Sequence, residues 1–447
     1  MTVFELHGTR TITAPIHDNV LILVGENGSG KTTFLRILFY FLSGRWFALL
    51  QFRFNYIEAV IGGRTFRVTH EALAKGFEKV DRRWLAEMPT HMRHRLMDIV
   101  SSREIHEVPA ELERWSSRHG IPLEVVMRQL EIYEANPKGP RKDLQETITS
   151  IRGAIDAQML YLPTYRRIER ELGSIFEGMD VDEVRRGRRK ARVEAEDTYI
   201  ELVEFGMKDV QQAIERTLET LKEFARENLN NLTLRYLGDV VNREYQDVGM
   251  KEIANVPEDT IRSVLDRLHE SILTKSHKDH LLRVINEART SDAPDEHSKI
   301  ICHYFLKLLH FQELLQEREQ QISAFCDLCS QYIVDKRFVY DSASFGFAIV
   351  PNEAREKDRK IELSDLSSGE KQIVSLFSHL YLAGKNRYFV LIDEPELSLS
   401  VPWQRRFLTD IRNGGFCAGL VAVTHSPFIY DNELKQYAHS LGEFVSM

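Results

Sequence analysis

The sequence predicts an α/β protein: a mixed sheet with helices, an antiparallel β-subdomain, and a large α-helical insertion able to form a coiled coil. Three observations carry that prediction. The apolar run Val20-Leu-Ile-Leu-Val24 opens onto a glycine-rich loop and then an apolar helix. A second apolar run, Tyr388-Phe-Val-Leu-Ile392, ends in an acidic pair. Between these ends lie long, charged, proline-poor stretches with apolar residues at helical spacing.

Composition narrows the class further. Of 447 residues, 43% are hydrophobic and 28% charged, which fits a folded globular chain rather than a disordered one. The net charge of −8 excludes a general attraction for nucleic acid, so any such contact must be local. No apolar run reaches the roughly 18 residues of a membrane-spanning helix. The start, Met1-Thr-Val-Phe-Glu-Leu6, lacks the pattern of a secretory signal. Four cysteines in so long a chain make no disulfide framework. A cytoplasmic location with reduced thiols and no membrane partner is the expectation.

In chain order, the strand at 20–24 is a continuous run of β-formers, as burial on both faces requires. It leads into Gly25-Glu-Asn-Gly-Ser-Gly-Lys-Thr32, the G-x-x-x-x-G-K-[ST] pattern, with an apolar-rich helix at 33–41 behind it. Glycines at 25, 28 and 30 let the backbone wrap around phosphates, while loop amides and the helix N-terminus supply positive potential. The nucleotide-binding set is therefore Gly25, Asn27, Gly28, Ser29, Gly30, Lys31, Thr32 and Thr33. Lys31 is expected to reach the β- and γ-phosphates of ATP, and the Thr32 hydroxyl to ligate Mg²⁺. Residues 52–61 and 65–68, joined by Gly62-Gly63, then predict a β-hairpin.

The middle of the chain reads as helical, especially 194–226, 259–288 and 296–332, with Ile200, Leu202, Val203, Phe205 and Val210 at roughly helical spacing. The expected domains are an N-terminal lobe at 1–165, a helical insertion at 166–335 and a C-terminal lobe at 336–447. Cys326-Asp-Leu-Cys329 lacks a second pair and sits just before a strand-like segment, so packed thiols are favoured over a metal site. Arg185, Arg186, Arg188, Arg189, Lys190 and Arg192 form the sharpest charge cluster; it reads as a solvated loop or as a nucleic-acid patch. A weaker cluster spans 82–95, with the same two readings.

At the distal end, the strand at 388–392 delivers Asp393-Glu394-Pro395 to its carboxyl end, where α/β sheets bind ligands. Asp393 can hold Mg²⁺, and Glu394 is placed to orient or deprotonate the attacking water. Ser367, Ser368 and Gly369 precede a helical stretch and make a second anion-binding end. A further strand at 419–423 ends at Thr424-His425-Ser426-Pro427.

Taken together, these motifs resemble the ABC ATPase superfamily. Leu366-Ser-Ser-Gly-Glu-Lys-Gln372 is similar to its signature segment, and the loop at His425 to its switch histidine, which senses the γ-phosphate. The resemblance implies that the signature of one chain faces the nucleotide of another. Ser367, Ser368 and Gly369 would act in trans, and Lys31, Thr32, Asp393, Glu394 and His425 in cis, so at least a dimer is implied. Asp393-Glu-Pro-Glu-Leu-Ser-Leu-Ser400, with Pro402-Trp-Gln404, resembles the branch related to RecF, Rad50 and the OLD family, although Leu399-Ser400 stands where Leu-His is common. Gln158 is the candidate for that family's nucleotide-linking glutamine, but it precedes the strand at 159–162 instead of following it.

The sequence ends soon after His425, at Met447, too short for the metal-binding nuclease domain of OLD nucleases. With Tyr161-Leu-Pro-Thr-Tyr-Arg-Arg-Ile168, the resemblance extends to stand-alone ATPases of anti-phage systems such as PARIS and Septu. It implies control of a separate effector, a nuclease or toxin. A DNA-repair ATPase of the same branch is the alternative.

Overall fold

The computed structural model describes residues 1–50, 52–77, 141–163, 199–201, 207–247, 250–267, 274–291, 294–353, 361–382, 387–397 and 399–446. The basic clusters at 185–192 and 82–95 lie outside them. In chain order the strands begin with β1 (Thr2–Leu6), β2 (Arg10–Thr13), β3 (Val20–Val24), β4 (Tyr56–Ile61), β5 (Arg64–Thr69), β6 (Gln158–Leu162) and β7 (Tyr199–Glu201). They continue with β8 (Lys336–Asp341), β9 (Gly346–Pro351), β10 (Tyr388–Asp393), β11 (Cys417–Thr424), β12 (Ala438–Ser440) and β13 (Val445–Ser446). The helices of eight or more residues are α1 (Lys31–Ser43), α2 (His70–Phe77), α3 (Arg141–Ile155), α4 (Met207–Val241) and α5 (Glu258–Asp266). After these come α6 (Lys275–Thr290), α7 (Glu296–Ser330), α8 (Ser368–Leu382) and α9 (Val401–Asn413). Two compact units result: Met1–Glu204 with Lys385–Met447, and Phe205–Gly384. The signature segment thus belongs to the same unit as the long helices, and the acidic pair to the unit of the phosphate loop.

In the first unit, parallel and antiparallel pairing are segregated: an antiparallel sheet stands apart, as the sequence predicts, but the other sheet is parallel throughout where a mixed one is expected. A six-stranded sheet, ordered β12-β3-β11-β10-β6-β7, is parallel throughout. A five-stranded sheet, β13-β2-β1-β4-β5, is antiparallel throughout. Tight turns join two of the antiparallel pairs, β1 with β2 and β4 with β5, whereas parallel neighbours need long crossovers. Gly62 and Gly63 show the first case, both at positive φ (57° and 77°), as a two-residue turn matched to strand twist requires. The hairpin starts at Tyr56; Phe52 and Phe54 before it are buried in the core instead.

Strand β10 is buried along its whole length and β3 along all but its last residue, the pattern of strands covered on both faces. Register then does the positioning. Val24 lies opposite Thr424, and Val423 opposite Asp393, so three adjacent strands end together. The residues that follow are Gly25, Glu394 and His425. Helix α1 anchors this edge, with every residue from Phe34 to Ser43 except Arg36 buried, and Phe39 stacked on Tyr161 at 4.8 Å. Gln158 sits at the opposite edge: it opens β6 and pairs with Tyr388, while Leu162 at the other end pairs with Ile392. A parallel register therefore removes Gln158 from the site.

The second unit is built on α4 and α7, 35 residues each and about 50 Å long at 1.5 Å per residue. They run antiparallel, since Arg318 lies over Phe224 at 4.2 Å whereas Tyr304 meets Tyr236 at 4.7 Å. Asp239 is paired with both His303 and Lys307 at 2.9 Å, and these bonds hold its carboxyl down at about 2. Helix α4 runs past the expected end at 226 to Val241. Ile200 is a correction: it belongs to the strand β7, paired with Leu160, not to a helix. A three-residue edge strand is too short for its period to show in sequence. Cys326 and Cys329 are buried in the last turns of α7, and burial raises both thiols, Cys326 to about 12. Unreactive packed thiols are what this environment gives. No helix among the described residues is long and apolar enough to cross a membrane.

Candidate functional site

The phosphate-loop residues Gly25, Gly28 and Gly30 all have positive φ (141°, 81° and 95°), a conformation that glycine adopts without a Cβ penalty. Gly25, Asn27, Gly28 and Ser29 are exposed, so the loop presents its backbone to solvent. Lys31, by contrast, is 4% exposed. Its Nζ donates to the Gly25 and Glu26 carbonyls at 2.8 Å each and to Ser29 Oγ at 3.2 Å. The ammonium is thereby folded into the mouth of the loop. Burial lowers its pKa, and Glu394, Asp393 and Glu396 pull it back up.

Thr32 Oγ1 donates to Asp393 Oδ1 at 3.1 Å, bringing together residues 361 positions apart. Thr33 follows in the first turn of α1, half-buried. A hydroxyl and a carboxylate at one point form a hard oxygen pair, the donor set that suits Mg²⁺, which keeps several waters and shares phosphate oxygens. The residues present therefore fit Mg²⁺ together with a polyphosphate: donors for the metal, amides and an ammonium for the anion.

Glu394 follows at φ 51°, an uncommon conformation for a residue with a side chain. Its amide donates to the Val423 carbonyl at 2.8 Å, which ties the acidic turn to β11. Strain of this kind persists where the surroundings over-determine it, and it re-aims the carboxylate relative to Asp393. Burial, then the charges of Asp393 and Glu396, raise the Glu394 pKa above the ordinary carboxylate range; His425 and Lys31 oppose the shift. His425 Nε2 stands 3.9 Å from Glu394 Oε1, beyond hydrogen-bond distance, with both side chains about a third exposed (30% and 27%). A carboxylate with raised basicity beside an imidazole can take a proton from water.

Sequence reasoning missed what holds His425. Glu396 accepts from Thr424 Oγ1 and from the His425 amide, both at 2.7 Å. Gln404 donates through Nε2 to the Leu399 carbonyl at 2.9 Å and accepts from Ser426 Oγ at 2.7 Å. The second carboxylate of Asp-Glu-Pro-Glu was the available signal, but its partners lie 28 and 29 residues away. Glu396→Ala is expected to lower kcat while leaving nucleotide affinity within a few-fold of the parent, since a misplacement of about 1 Å can cost about 10²-fold in rate. Steady-state kinetics alongside equilibrium titration with an ATP analogue checks this; an unchanged kcat would remove Glu396 from the positioning network.

Ser367, Ser368 and Gly369 lie in the other unit. Ser367 precedes α8, and its Oγ accepts from the Glu370 amide at 3.4 Å; Ser367 and Ser368 are exposed. Ser400 is exposed and precedes α9.

A family model described as an AAA domain, putative AbiEii toxin, type IV toxin–antitoxin system, matches residues 217–431. The match supports a P-loop ATPase. It spans just under half the chain, taking in the signature segment, the acidic pair and His425, but not the phosphate loop at 25–32. No curated protein matches the chain.

Proposed function

We propose that this chain is an ABC-type ATPase that binds ATP with Mg²⁺ between paired subunits and hydrolyses it there. One observation carries the reading: Thr32 bonded to Asp393 at 3.1 Å, with Glu394 and His425 on the ends of neighbouring parallel strands. The loop amides and Lys31 bind and orient the triphosphate. Thr32 and Asp393 hold Mg²⁺, which offsets charge on the phosphate oxygens when bound. Glu394 orients the attacking water and takes its proton, and His425 contacts the γ-phosphate side. Ser367, Ser368 and Gly369 complete the site of the partner subunit, so neither chain is sufficient alone.

The wider role we infer is that of a sensor or scaffold in an anti-phage defence system, controlling a separate effector. The motif resemblance supports it.

Complementation tests the shared site. Lys31→Ala and Ser367→Arg are each expected to be inactive. Their mixture should regain measurable activity, because each mixed pair holds one intact site. A mixture as inactive as its components would contradict sharing.

A further inference from the structure

The signature end of α8 contains a negative charge that works against its proposed task. Glu370 lies three residues after Ser367, and the two form a reciprocal cap: Glu370 Oε2 accepts from the Ser367 amide at 2.8 Å, and Ser367 Oγ from the Glu370 amide. A capping carboxylate stabilises a helix N-terminus, but it also occupies the positive end that would attract a phosphate. Glu370 is only 5% exposed, so solvent screens its charge poorly.

Among the described residues, that charge is answered by Lys336. Lys336, the first of β8, donates to both Glu370 oxygens, at 2.7 and 3.0 Å. Its placement is firm, because the turn from α7 into β8 is pinned by Ser330 Oγ, which accepts from the Phe338 amide at 2.9 Å and donates to the Cys326 carbonyl at 2.6 Å. Burial pushes the Glu370 carboxyl up, but Lys336 and the Ser367 amide outweigh it and hold its pKa below the usual value, so the group is anionic. Without Lys336, an anion would stand beside Ser367, Ser368 and Gly369.

We propose that Lys336 is an electrostatic positioning residue: it cancels the Glu370 charge, so that the exposed end of α8 can receive the triphosphate held by a second copy of this chain. The role rests on the shared-site reading above. It separates two jobs of Glu370, since the cap needs an acceptor oxygen for the Ser367 amide but does not need a charge. A glutamine supplies the acceptor alone.

The test uses the full chain carrying Glu394→Gln, with Mg-ATP-dependent pairing followed by light scattering and nucleotide capture by a fluorescent ATP analogue. Adding Lys336→Met should raise the ATP concentration for half-maximal pairing at least about tenfold, as expected when one partner of a buried charge pair is removed. Capture by the phosphate loop should stay unchanged. Adding Glu370→Gln to Lys336→Met should restore pairing, and Glu370→Gln alone should pair at least as well as its parent. A purely structural ion pair predicts instead that Glu370→Gln alone, which strands the Lys336 ammonium, pairs worse than its parent. That result, or unimpaired pairing by Lys336→Met, would overturn the role. Should Lys336→Met fail to fold, weakened pairing in Glu370→Gln alone would still overturn it. If the parent captures nucleotide but never pairs, the shared-site reading fails and takes this role with it; a parent that pairs leaves only Lys336 at stake.

Discussion

Glu394→Gln is expected to lower steady-state ATP turnover by about 10²- to 10⁴-fold, the usual contribution of a positioned general base. Binding should survive, because Lys31, Thr32 and Asp393 are untouched and glutamine keeps the shape of the side chain. The structure adds a sharper expectation. Burial and two neighbouring carboxylates disfavour the ionised form of Glu394, so removing its charge relieves repulsion. The variant should therefore melt no lower than the parent, and inactivity cannot be assigned to misfolding. The pH profile follows with a definite sign. Glu394 acts as a carboxylate, and its raised pKa means that it protonates at higher pH than an exposed glutamate. Parental activity should fall on acidification at a pH above the ordinary glutamate range, and that limb should be absent from the residual rate of Glu394→Gln. Full turnover in the variant, or an identical acid limb, would remove Glu394 from the reaction.

Lys31→Ala should weaken ATP binding by about 10- to 10²-fold, since a charge-assisted hydrogen bond contributes about 1.5–3 kcal/mol. The Lys31 ammonium also donates to the Gly25 and Glu26 carbonyls and Ser29 Oγ, so it shapes the loop before nucleotide arrives. Truncation removes both effects: the anion loses its cation, and the loop loses the group around which it closes. Titration with a fluorescent ATP analogue, with thermal melting to establish folding, checks this. Parental affinity in a folded variant would show that the loop at 25–32 does not bind the triphosphate.

What could be read from sequence was what is local. The strand, glycine loop and helix at 20–43 are consecutive, and their conformations follow from glycine placement and buried apolar runs. Asp393, Glu394 and His425 were legible because each directly ends or follows such a run. The rest depends on pairings distant in sequence. Glu396 reaches Thr424 and His425, and Lys336 reaches Glu370 34 residues on; no period or motif encodes either contact. Gln158 already stands before its strand in sequence, and pairing with Tyr388 places it at the far end of β6 from the site. Ile200 was misread because three residues of edge strand look like part of a helix. The separation of parallel from antiparallel sheets likewise depends on which strands meet, not on the character of each strand.

The most direct measurement is the mass of the 52.0 kDa Glu394→Gln chain by light scattering, with and without saturating Mg-ATP. A shared site predicts that ATP drives association into dimers or multiples of them, and that Ser367→Arg abolishes this while leaving ATP bound. A chain that binds ATP stoichiometrically and remains single would contradict it.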